Sequence, residues 1–112
     1  MATSNSNGSQ TATLTTEHTI GGAGNDTITT SGSFVIGIDA NALVLGEELT
    51  VRVYLKVRSV GTTRLAYEAT YDGVQNEPVI LTIPVASTNE LKFTIEQNGG
   101  TGRAFPWEIW EL

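Results

Sequence analysis

The chain has 112 residues, with six Lys plus Arg, twelve Asp plus Glu and no Cys. The net charge of −6 argues against nucleic acid or an anionic membrane as the main partner, because both select for basic surfaces. The lack of Cys excludes disulfide scaffolds, thiolate metal sites and thiol catalysis. No run of about 18 apolar residues is present, so no helical membrane span is expected.

The length fits one domain, able to bury roughly two-thirds of the surface its unfolded form exposes. Residues 1–17, MATSNSNGSQTATLTTE, are rich in Ser, Thr and Asn, and Glu17 is the first charged side chain. No basic region followed by an apolar run opens the chain, so no secretory signal is expected. Residues 1–10 carry too little apolar surface to offset ordering entropy and read as a mobile arm. In residues 11–20, β-branched Thr suits extended chain, with Leu14 and Ile20 as anchors once an edge is found. The expected organisation is an arm over residues 1–20 and a β domain over residues 21–112.

GGAGNDTI, Gly21 to Ile28, fits the glycine-and-aspartate pattern of calcium-binding β-rolls. Such rolls work by repetition, and neither the preceding ATLTTEHTI nor the following TTSGSFVIG repeats it. One copy supplies too few oxygens for a cation that takes about six to eight. The segment therefore reads as a glycine-rich corner, with Gly21, Gly22 and Gly24 as a candidate hinge for the arm.

Strand patterns follow. Phe34, Ile36 and Ile38 alternate in SFVIGID, and Val51, Val53, Leu55 and Val57 alternate with Arg52, Tyr54, Lys56 and Arg58. The basic face of that second strand is expected to pair across the sheet with acids such as Glu68 or Glu96. Between the two, DANALVLGEE is the one place where a helical turn is expected, capped by Asp39 and ended by Gly46, followed by solvated acids. LAYEATY alternates more weakly through Leu65, Tyr67, Ala69 and Tyr71. In VILTIPV, Val79, Leu81, Ile83 and Val85 are expected to share a face, and Pro84 marks an edge or bulge. Leu91, Phe93 and Ile95 alternate in LKFTIEQ. Asp72-Gly73 and Asn98-Gly99-Gly100 carry turn chemistry, and Gly61 sits in a short connection. Seven or eight short strands predict an all-β antiparallel sandwich, jelly-roll-like, with an extended N-terminal arm.

The last stretch is the most apolar. In GTGRAFPWEIWEL, alternation puts Phe105, Trp107 and Ile109 on one side and Trp110 and Leu112 on the other. A strand apolar on both faces lies between two layers or under another subunit. Candidate partner or subunit contacts are Thr11, Thr13, Leu14 and Thr15 in the arm, and Trp107, Trp110 and Leu112 here.

No catalytic constellation is legible. His18 is the only His, and it lies at the end of the expected arm with no fixed third group. GxSxG, HExxH and Walker-type sequences are absent. Asp39, Asn41, Glu47 and Glu48 lack the offsets of an EF-hand loop. No enzyme activity, cofactor or metal is therefore expected.

The runs SGSFVIGIDANALVLGEELTVRVY, TTRLAYEATYDG and GGTGRAFPWEIWEL resemble small structural proteins of tailed bacteriophages, over about the last three-quarters of the chain. The closing Gly100–Leu112 segment carries most of the likeness. The resemblance implies a capsid decoration (cement) protein: a compact β module, often trimeric, with an arm reaching over neighbouring subunits. The partners it implies are the major capsid protein and two further copies of the chain, on the virion exterior after assembly in the host bacterial cytoplasm. The alternative is a tail, fibre or adaptor protein with a carbohydrate-binding sandwich, which needs Tyr54, Tyr67, Tyr71 or Trp110 exposed as a platform. A calcium-dependent β-roll fragment is a third possibility.

Overall fold

The two-residue alternation becomes strands almost throughout the computed structural model, which describes residues 2–20 and 27–112. Nine strands lie among these residues: β1 (Thr3–Thr11), β2 (Glu17–Ile20), β3 (Gly32–Asp39), β4 (Glu48–Lys56), β5 (Arg64–Asp72), β6 (Val79–Leu81), β7 (Val85–Ser87), β8 (Glu90–Asn98) and β9 (Ala104–Glu111). No described residue is helical, and no helix is long and apolar enough to cross a membrane.

The strands form two antiparallel sheets. Sheet A has the order β1-β9-β3-β6, with β7 also on β3, and sheet B the order β2-β8-β4-β5. The chain changes sheet at every connection between these strands except β4 to β5 and β6 to β7. The chain is thus the all-β sandwich its pattern predicts.

The core lies between the sheets. Phe34, Ile36 and Ile38 of β3 and Phe105, Trp107 and Ile109 of β9 are buried facing Leu49, Val51 and Val53 of β4 and Leu91, Phe93 and Ile95 of β8. Each side chain fully removed from water stabilises the fold by about 1.5–3 kcal/mol before entropy is subtracted. Odd positions of β9 face inward and even ones outward, as its alternation requires.

Three departures from the sequence reading have physical causes. Residues 3–10, read as mobile, join Thr11 in β1, paired with β9 from Thr3↔Glu111 to Thr11↔Ala104. Main-chain pairing needs no apolar side chains, so polarity alone concealed it. Pro84 breaks VILTIPV into β6 and β7 at the sheet edge and flips its phase: Ile80, Thr82 and Val85 point inward, whereas Val79, Leu81 and Ile83 are exposed. Lastly, β5 shifts register between Tyr67 and Leu65, leaving Ala66 as the extra residue. The bulge turns Leu65 out to solvent while Tyr67 and Tyr71 pack on the core.

No helical turn forms after Asp39; residues 40–47 make non-helical turns, and the Asp39 Oδ1 accepts the Asn41 N–H at 3.0 Å, a local bond that a side chain before a turn makes without a helix following. Gly21, Gly22 and Gly24, with Asp26, lie outside the described residues. Their flanks are held by one strand: Ile20 pairs with Phe93 and Ile28 bridges to Leu91, both on β8.

Candidate interaction surfaces

On the outer face of sheet A, the outward positions of β9, β3 and β6 bring together Pro106, Glu108 and Trp110, then Val35, Gly37 and Asp39, then Val79 and Leu81. The Trp110 indole lies across Gly37. A Cβ on Gly37 would come within 2.5 Å of its Cη2 and Cζ3 and 3.4 Å of a Leu81 methyl. A shallow groove of about 330 Å³ opens beside the ring, lined by Asn7, Asp39, Val79, Pro106 and Glu108 among others. None of the five strands of sheet A contains a Lys or Arg. This face is therefore apolar with acidic margins.

The outer face of sheet B is a polar web centred on Arg52. Its guanidinium donates to Glu68 at 2.7 Å and Glu96 at 2.8 Å, and lies 3.6 Å from Glu17. Glu17 also accepts from the hydroxyls of Thr94 at 2.6 Å and Tyr54 at 2.7 Å. Burial works against the charge on Glu17, but those two hydroxyls and the Arg52 charge outweigh it and lower its pKa. The hydrogen bonds that Arg52 donates to Glu96 and Glu68 raise its own pKa. Lys92 stands 4.7 Å from the Tyr54 ring centroid, and Lys56 pairs with Glu90 at 3.6 Å. The predicted cross-strand pairing of the basic face is present for Arg52 and Lys56.

At one end of the sandwich the turn 40–47 meets the β8–β9 connection through Glu47. Read from sequence as a solvated acid, Glu47 is buried, with its side chain only 1% exposed. It accepts from the N–H groups of Val44 and Thr101, each at 3.1 Å, and from Arg103 Nε and Nη2 at 2.9–3.1 Å. The Arg103 hydrogen bonds, helped by the two backbone donors, pull its pKa down to about 2. Gly99 and Gly100, at φ +77° and +67°, let the chain pass close by; a Cβ on Gly100 would collide with the Glu47 carboxylate. Beside this knot, Glu48 and Asp72 face each other across β4 and β5, and their contact raises the pKa of Glu48.

The arm candidates fall at the corner between β1 and β2. Thr11 ends β1. The Thr13 N–H donates to His18 Nε2 at 3.0 Å, and the Thr15 N–H donates to the Gln97 carbonyl at 2.8 Å, with Thr15 at φ +58°. Leu14 is partly exposed beside them. At the other terminus the two tryptophans divide: Trp107 is in the core, 7% exposed, while Trp110 and Leu112 reach solvent. Of the aromatics named as platforms, Tyr54 is engaged by Glu17 and Lys92, and Tyr67 and Tyr71 pack on the core, which leaves Trp110.

No group of three or more His, Cys, Asp and Glu side chains able to hold a metal ion occurs among the described residues. No family model matches the chain, and no curated protein or solved structure matches it.

Proposed function

We propose that this chain is a non-enzymatic virion protein of a tailed phage that decorates the capsid exterior and stabilises the shell. With β6 and β7 taken as one strand interrupted at Pro84, the two sheets read as a four-over-four jelly roll. The observation that carries the reading is the outer face of sheet A, where exposed Leu81, Val79 and Pro106 and the half-buried Trp110 form an apolar surface free of Lys and Arg. Such a surface suits a protein partner that brings apolar side chains and cations. The major capsid protein is the partner this reading names, and a homotrimer its assembled form; several weak contacts then act together.

The test is co-sedimentation with purified tailed-phage capsids. Full-length protein is expected to bind, Trp110→Ala to bind at least tenfold more weakly, and the Arg52→Met variant, altered on the opposite face, to bind as the parent. Absence of binding by the full-length protein overturns the proposal. A carbohydrate-binding tail or fibre component is the second reading, favoured by the Trp110 ring beside Asp39, Glu108 and Asn7 in one groove. A glycan array with the parent and Trp110→Ala separates the two.

A further inference from the structure

The charges are distributed unevenly along one pair of strands. All six Lys and Arg residues lie on sheet B or its connections: Arg52, Lys56, Arg58, Arg64, Lys92 and Arg103. Arg52, Lys56 and Arg103 are in ion pairs, and Lys92 is over Tyr54. Arg58 and Arg64 have no carboxylate within ion-pair distance among the described residues. Both are exposed at the end of the sandwich formed by the β4–β5 hairpin. At the other end of the same two strands, about 26 Å away at 3.3 Å per residue, Glu48 and Asp72 contact each other. Neither has a Lys or Arg partner among the described residues.

The apolar relief is complementary as well. At the acidic end Leu45 projects from its turn, 91% exposed, and Val74 is exposed nearby. A groove of about 370 Å³ runs beside Leu45 past Glu48, Asp72 and Asn98. At the basic end a notch of about 310 Å³ is bounded by Leu55, Val57, Arg58, Thr62 and Arg64. Val57 and Val60 there are 78% and 80% exposed. An isolated exposed Leu or Val is ordinary, but two apolar clusters ringed by opposite, unpaired charges at opposite ends are not.

We propose that the occupant of each end is the other end of a second copy of this chain. Leu45 of one copy seats in the notch of the next, and Arg58 and Arg64 of that copy meet Glu48 and Asp72. The arginine forks satisfy the two crowded carboxylates, whose mutual repulsion is relieved on docking. The contact is head-to-tail, so repetition either closes a ring or propagates as a filament. It leaves the Trp110 face open. The inference concerns self-association alone and does not require shell binding.

Light scattering on the full chain at about 100 µM, with no capsid present, tests it. The parent is expected above the monomer mass of 11.9 kDa. Reversal of the basic end (Arg58→Glu with Arg64→Glu), or of the acidic end (Glu48→Lys with Asp72→Lys), is expected to give monomers with unchanged far-ultraviolet dichroism. Leu45→Asp is expected to do the same. An equimolar mixture of the two reversed variants is expected to regain pairs or even-numbered assemblies. All four substitutions in one chain are expected to restore the parental mass. Misfolded chains would regain nothing in these last two arms. A monomeric parent, a parental mass that survives either reversal, or failure of both restorations overturns the proposal. Because capsid binding is read separately, loss of one property leaves the other assessable.

Discussion

Glu47 and Arg103, 56 positions apart, are joined by three hydrogen bonds of 2.9–3.1 Å. The pair fastens the turn before β4 to the connection before β9, and so ties sheet B to sheet A. Its loss on acidification has a defined sign. The folded pKa of Glu47, about 2, lies below the roughly 4.3 of an unfolded Glu. Its stabilisation is therefore present above about pH 4.3 and lost as pH falls toward 2. Glu47→Gln is expected to be less stable than the parent at pH 7, with the gap closing between about pH 4.3 and pH 2. Urea melts across that range check it. Glu48, raised by Asp72, acts in the opposite sense and favours the fold on acidification, so Asp72→Asn should remove part of that counter-slope.

The two tryptophans are expected to behave oppositely. Trp107→Ala opens the core and should cost about 3–5 kcal/mol. Trp110→Ala removes an outer-face ring and should cost within about 1–2 kcal/mol. Denaturant melts of each variant test the difference. Gly37→Ala should displace the Trp110 ring and shift its fluorescence to longer wavelength while the melt stays cooperative.

Arg52 holds three carboxylates on a partly exposed face. Arg52→Met leaves Glu17, Glu68 and Glu96 facing one another. The expected loss is roughly 1–2 kcal/mol at low ionic strength, shrinking in 1 M salt because exposed charges are screened. A salt-independent loss would assign the effect to packing of the Arg52 stem.

β1 is expected to open before the rest of sheet A. It is an edge strand that is largely exposed, with Ala12 as the buried apolar residue at its end. Hydrogen exchange should report β1 amides opening at several kcal/mol below those of β3 and β9. Equal protection across the three strands would contradict this and make release of the arm costly.

The central strands were legible because burial on one face writes itself as alternation: Val51 and Val53, Phe93 and Ile95, Trp107 and Ile109. What escaped is not encoded in single residues. β1 is held by main-chain bonds to β9, which Ser, Asn and Gly do not advertise. Ala66 looks like any strand alanine, yet as the extra residue of a bulge it reverses the side on which Leu65 lies. Glu47 and Glu48 are neighbours of one type. Arg103 and the Thr101 N–H, both distant in sequence, hold the first buried while the second stays exposed. The two surfaces are divided similarly: Trp110 was readable from its phase in β9, whereas the opposed ends of β4 and β5 emerge only after the strands are paired.

One consequence follows from Thr3 sitting opposite Glu111. Neighbouring strands are about 4.8 Å apart, so the first and last strands bring their outer ends to one corner. Joined there by a short linker, the backbone becomes a closed loop that can be cut at the Gly61 hairpin instead. A tag or passenger domain added at either terminus leaves the body at that same corner, beside the Trp110 face. Cargo placed there would crowd the surface proposed for docking.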